Sequence, residues 1–167
     1  MLGQLVVTLL ENGSCWVTEM GRHLKSTTRV KHRIKRVDRF VGNPRVHAEL
    51  PKIYKTVAAM IIKSEHPVIL VDWTVIAEDR WALVASVASK GRSQVIYQQV
   101  HPKRSVNVAK VHDRFLRTLS DVLPAHCVPT IVTDAGFNAS WFARASLYPT
   151  QVAWLLRSRS TRPRLLS

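Results

Sequence analysis

Apolar residues early in the chain recur at three- and four-residue intervals, the spacing of one helix face. Leu2, Leu5, Val6, Leu9 and Leu10 form the first such stripe, and Asn12-Gly13-Ser14 breaks it. Thr18 to Leu24 is a second, short helix candidate. The spacing predicts a third from Thr28 to Val41, with Val30, Ile34, Val37 and Val41 on one side and Gly42-Asn43-Pro44 as its stop. A fourth runs from Val46 to Ile62, with Pro51 near its first turns. At Ser64-Glu65-His66-Pro67 the period changes. Val68 to Asp72 is a continuous apolar run, the pattern of a strand buried on both faces. Trp81 to Val87 and Gln94 to Val100 read as a second and third strand around a turn at Lys90-Gly91-Arg92, so the three form an antiparallel meander. Val106 to Leu123 is helical, with Val108, Val111, Phe115, Leu119 and Val122 as its stripe and Pro124 closing it. Thr130 to Thr133 is a fourth strand, Ser140 to Leu147 a short helix, and Gln151 to Leu156 a fifth strand.

This order predicts an α/β protein in two parts and a tail. Residues 1–64 form a helical, basic region, 65–157 a mixed five-stranded sheet with helices, and 158–167 a basic tail. Three strands, a helix, a strand, a helix and a strand is the order of the ribonuclease-H-like fold. The crossover helix lets the fourth strand lie parallel beside the first.

With 46% hydrophobic and 22% charged residues, the 167-residue chain can build a core and is not disordered by composition. Lys and Arg number 25 against 11 Asp and Glu, a net charge of +14, which favours polyanions: DNA, RNA or an acidic membrane face. The third helix concentrates that charge. Arg29, Lys31, His32, Arg33, Lys35, Arg36 and Arg39 surround its apolar stripe, and Asp38 is its sole acid. A short helix, a tight connection and a basic helix make a helix-turn-helix-like arrangement, whose basic helix can lie along a groove or on phosphates. A solvated scaffold face would carry the same residues. Cys15 and Cys127 have neither disulfide-framework nor zinc-site spacing, which fits a cytosolic compartment. Met1 to Leu10 is too short and lacks the basic start of a signal peptide, and no apolar run reaches the roughly 20 residues a membrane helix needs.

Two apolar runs end on aspartate, at Asp72 and Asp134. On adjacent strands of one sheet these carboxylates would meet a single divalent cation. Phosphoryl transfer on DNA needs an activated oxygen nucleophile and a stabilised leaving oxygen, and two ions roughly 3.5–4 Å apart supply both. Hard ions such as Mg²⁺ take oxygen ligands. Asp72, on the central first strand, suits a bridge between two ions and Asp134 a single ion, with a third acid expected from a helix packed on the sheet. Each aspartate could instead cap the turn that follows it. Glu78 and Asp79 read as turn acids, and Asp113 and Asp121 as solvated positions on the crossover helix. The seven histidines show no metal-ligand spacing, and neither a nucleophile elbow nor a phosphate-cradling glycine loop is present. Trp73 and Phe137, beside the two aspartates, suit core or rim packing, or stacking on a base.

Several stretches together resemble bacterial insertion-sequence transposases of the aspartate–aspartate–glutamate superfamily, insertion-sequence family four. They are Met20-Gly21-Arg22-His23-Leu24, Lys31 to Arg39, Gly42-Asn43, Ile69-Leu70-Val71-Asp72-Trp73, Ala88-Ser89-Lys90-Gly91-Arg92-Ser93 and Ile131-Val132-Thr133-Asp134-Ala135-Gly136-Phe137. The likeness runs from about Leu5 to about Arg157. It implies a ribonuclease-H-like catalytic domain behind a helical DNA-binding region that carries Arg29, Lys31, Arg33, Lys35, Arg36 and Arg39. It also implies cut-and-paste transposition with Mg²⁺ or Mn²⁺ by a dimer on paired terminal repeats, in the bacterial cytoplasm. By position Asp72 and Asp134 match the family's two catalytic, metal-binding aspartates. The departure lies after them: the family's glutamate sits on a downstream helix with a tyrosine–arginine–glutamate–lysine signature, and here no Asp or Glu occurs from Ala135 to Ser167. The expectation is a truncated transposase, inactive alone for want of a third ligand, its sheet left with an exposed apolar face. The alternative is a non-catalytic DNA-binding remnant that interferes with full-length transposase.

Overall fold

The computed structural model describes residues 1–133, Phe137 and, as backbone, 153–156. Four helices come first: α1 Leu2–Asn12, α2 Val17–His23, α3 Val30–Val41 and α4 Pro44–Ile61. Strands β1 Val68–Ala77, β2 Arg80–Ser89 and β3 Arg92–Pro102 follow, then α5 Ala109–Val122, β4 Thr130–Thr133 and β5 Ala153–Leu156. The expected helix over Ser140 to Leu147 lies outside the described residues, as does the tail. The chain is thus α/β, with helices followed by a mixed sheet.

It divides into two compact units, Met1–Leu50 and Pro51–Ser167. In the first, Leu5, Leu24 and Val37 form a small core, with Met1, Val17, Met20 and Phe40 packed against it. Helix α2 crosses α3 at Gly21, which lies against the backbone of Ile34. Gly13 ends α1 in the left-handed conformation (φ 65°), and its N–H returns to the Leu9 carbonyl at 2.7 Å. Asn43-Pro44 does more than stop α3. Asn43 Oδ1 accepts from the Arg45 N–H at 2.9 Å, and Pro44 opens α4, where a missing N–H costs nothing. The unit boundary falls at Pro51 inside α4, a residue that cannot donate to the His47 carbonyl.

The sheet order is β3-β2-β1-β4-β5. β1 pairs antiparallel with β2, β2 with β3, and β1 lies parallel beside β4 with Val68 opposite Thr130 and Val71 opposite Thr133. Two-residue turns join the meander, Glu78-Asp79 and Lys90-Gly91, the latter with Gly91 at φ 75°. A bulge between the pairs Ala85–Tyr97 and Ser86–Val95 leaves Ile96 extra, and both Ile96 and Tyr97 are buried.

One face of the sheet carries the core. Ile69, Val71, Leu83, Ala85, Tyr97 and Ile131 meet Ala58 and Ile62 from the end of α4 and its exit, and Phe115, Leu119 and Val122 from α5. Tyr97 bridges the two helices, edge-on to Tyr54 at 5.1 Å and tilted on Phe115 at 4.9 Å. Phe115 is fully buried. Phe115→Ala is therefore expected to cost about 3–5 kcal/mol. A thermal melt of the sheet unit reads the loss, and an unchanged melting temperature would contradict this placement of the core.

The expectation that β1 is buried on both faces is corrected. Its burial alternates: Ile69 and Val71 are buried, Val68 and Leu70 exposed. α4 and α5 both pack on the first face. Val68, Leu70, Ile76, Val95 and Val100 stay exposed. An apolar run without alternation does not distinguish one buried face from two. β1 also continues past Asp72 to Ala77, because β2 keeps pairing with it.

Candidate functional site

Asp72 directly follows Val71 on β1. Among the described residues the last β1–β4 pair is Val71 with Thr133, and β1 continues beyond it along β2, with Asp72 opposite Val84. Alternation puts Asp72 on the face away from α5, and its side chain is exposed. The Trp73 backbone N–H donates to Asp72 Oδ1 at 2.7 Å, which fixes the carboxylate against its own strand. Asp134 follows Thr133 in the sequence and lies outside the described residues.

Behind Asp72, on the covered face, lies an aromatic and imidazole cluster. The Trp73 indole Nε1–H donates to His112 Nε2 at 3.0 Å. An indole nitrogen only donates, so His112 Nε2 accepts, and the ring is neutral with its proton on Nδ1. Burial pushes the His112 pKa below the usual imidazole value; Asp113 opposes that and the nearby His101 adds to it. Burial, then the Arg114 charge, lowers His101 as well. Its ring stands edge-on to Trp73 at 5.7 Å. Phe137 stacks on His112 at 4.5 Å and 28°, and is almost fully buried. Trp73 and Phe137 are thus packing residues here. His112 is absent from the stripe the sequence suggested for α5, although it falls one helical turn before Phe115; a polar residue at an apolar register position was the available signal.

Among the described residues, no three His, Cys, Asp or Glu side chains gather as a metal site. Among the described residues, Asp72 is the carboxylate that follows the β1–β4 pairs. Mg²⁺ keeps several of its waters and takes one or two carboxylates together with substrate phosphates, and Asp72 would supply one such carboxylate.

The basic residues of α3 separate into two sets. Arg33 is half-buried, and its Nη1 donates to the Leu24 carbonyl at 2.7 Å, while its buried Nε has no hydrogen-bond partner. Arg36 Nη2 reaches Gln4 Oε1 at 3.3 Å. These two brace α3 against its neighbours. Lys31, Lys35 and Arg39 are exposed and four residues apart, so they form one stripe along the helix, with Arg29 exposed at its start. Among the described residues no carboxylate lies within 4 Å of that stripe. Like charges at this spacing destabilise a helix by roughly 0.2–0.5 kcal/mol per pair, a cost that an anion laid along the stripe would offset. No helix among the described residues is long and apolar enough to cross a membrane. No family model matches the chain, and neither a curated protein nor a solved structure matches it.

Proposed function

We propose that this chain is a DNA-binding transposase fragment of the cut-and-paste insertion-sequence type, and that by itself it binds DNA without cutting it. The observation that carries the reading is the uncompensated stripe Lys31–Lys35–Arg39 on a helix crossed at close range by a short one. Polyphosphate backbones present charges at regular spacing to such a stripe, and release of their counterions supplies sequence-independent affinity. Arg29 extends the contact. Arg33 and Arg36 serve it indirectly by holding α3 in place.

The catalytic side of the reading is a ribonuclease-H-like sheet. Support comes from the parallel β1–β4 pair and the crossover helix between β3 and β4. Asp72 and Asp134 directly follow in sequence the two members of the last such pair, Val71 and Thr133. Metal-dependent strand cleavage and transfer with Mg²⁺ or Mn²⁺ is the chemistry of the resembling family. This chain carries two of that site's three acids, with none after Asp134. It would occupy terminal repeats in the bacterial cytoplasm, as a homodimer or beside full-length transposase, and so interfere with transposition.

Two measurements on one DNA substrate test this. Asp72→Asn is expected to leave the affinity for duplex DNA within about twofold of wild type, since a carboxylate adds no phosphate contact. Incubation of the wild-type chain with terminal-repeat DNA and Mn²⁺ is expected to leave both strands intact. Strand cleavage by the wild type that Asp72→Asn abolishes would show a working site and overturn the binding-only reading.

A further inference from the structure

Trp73 and Phe137 meet at one side chain. Trp73 follows Asp72 and hydrogen-bonds His112; Phe137, three residues after Asp134 in sequence, stacks on the same imidazole. His112 is almost fully buried, in the first turns of the crossover helix, and holds a polar acceptor against the Trp73 and Phe137 rings. An apolar residue would fill that space at lower desolvation cost, so the acceptor has a specific use. That use is visible in its partner. The Trp73 indole is anchored by His112, and the backbone N–H of the same residue is the donor to Asp72 Oδ1.

We propose that His112 is a positioning residue: its Nε2 fixes Trp73, and Trp73 fixes the direction of the Asp72 carboxylate, while the same imidazole stacks with Phe137. The line runs from α5 through the sheet, from the covered face to the exposed one. His101 also stands edge-on to the indole, at 5.7 Å. The functional meaning of this arrangement rests on the reading of Asp72 given above; the mechanical claim does not.

Residue-resolved hydrogen exchange on the full chain tests it. The Trp73 amide reports the bond to Asp72 directly. His112→Phe keeps a ring for the Phe137 stack and removes the acceptor. We expect the exchange of the Trp73 amide to rise at least about tenfold in this variant, with less than about twofold change at the β2–β3 pairs Val84–Gln98 and Ala85–Tyr97. His112→Gln, whose amide oxygen can accept at the Nε2 position, is expected to restore exchange to within about threefold of wild type. Should His112→Phe fail to fold, Trp73→Phe removes the donor instead and is expected to speed exchange at residue 73 to the same degree. Equal acceleration across the whole sheet, no acceleration at residue 73, or glutamine behaving as phenylalanine would each overturn the proposal. DNA affinity of His112→Phe is expected to equal that of the wild type. Failure of the wild type to bind DNA would remove the functional reading and leave the exchange result standing.

Discussion

Gly21→Ala is expected to unfold the helical unit Met1–Leu50 while the sheet unit keeps its structure. A Cβ at residue 21 would stand 2.5 Å from Ile34 Cα, 2.6 Å from its Cγ1 and 2.8 Å from its N. Two of those atoms are backbone, so relief requires α2 and α3 to move apart. Alanine gains roughly 1 kcal/mol over glycine as a helix former. Overpacking of a tight contact costs about 1–3 kcal/mol or more, and here it meets backbone rather than a flexible side chain. The unit has little stability to lose: its core cluster has three buried apolar side chains, Leu5, Leu24 and Val37. Separating the helices also breaks the Arg33–Leu24 hydrogen bond that links them. The check is amide exchange resolved by segment. Loss of protection over α1 to α3, with β1 to β3 unchanged, is the expected result; a variant as protected as wild type throughout would show that the crossing is looser than described.

Much of this was readable in the residues. Periodicity located all five helices that the structure describes within a few residues. It also located the meander, because β2 and β3 are bounded by turn residues and Gly91 supplies the positive φ its turn requires. Two features were not readable, for physical reasons. Burial of Val68 and Leu70 depends on what packs over them, which the run itself does not encode. The division of labour among the α3 arginines depends on tertiary partners: nothing local distinguishes Arg33, tied to Leu24, from Arg39, which projects to solvent. Asp72 was legible as a candidate by its place after an apolar run, but its surroundings were not. That Trp73 packs on His112 depends on where the crossover helix lands on the sheet. The partner role expected of Asp134 lies outside the described residues.

Removing the charges of the α3 stripe is expected to cost about a hundredfold in DNA affinity. Each phosphate contact contributes a counterion term that, near 0.15 M salt, is worth roughly fivefold; three contacts multiply to about a hundredfold. The triple variant K31Q/K35Q/R39Q leaves Arg33 and Arg36 in their bracing contacts. It also removes two like-charge pairs at four-residue spacing, so α3 should become more stable by a few tenths of a kcal/mol per pair. Lost binding in this variant therefore does not arise from lost structure. Glutamine keeps helix propensity close to that of Lys and Arg, which holds the third variable constant.

The most direct measurement is the salt dependence of duplex binding by the full chain and by K31Q/K35Q/R39Q. Fluorescence anisotropy over about 50–200 mM salt gives the slope of log affinity against log salt, near −0.9 for each phosphate contacted. The wild type is expected to bind, with a slope of about −3 or steeper, and the triple variant to flatten that slope by about 2.7 while its helical circular dichroism stays intact. Equal slopes and affinities for the two chains, or no binding by the wild type at the lowest salt, would contradict the assignment of DNA binding to α3.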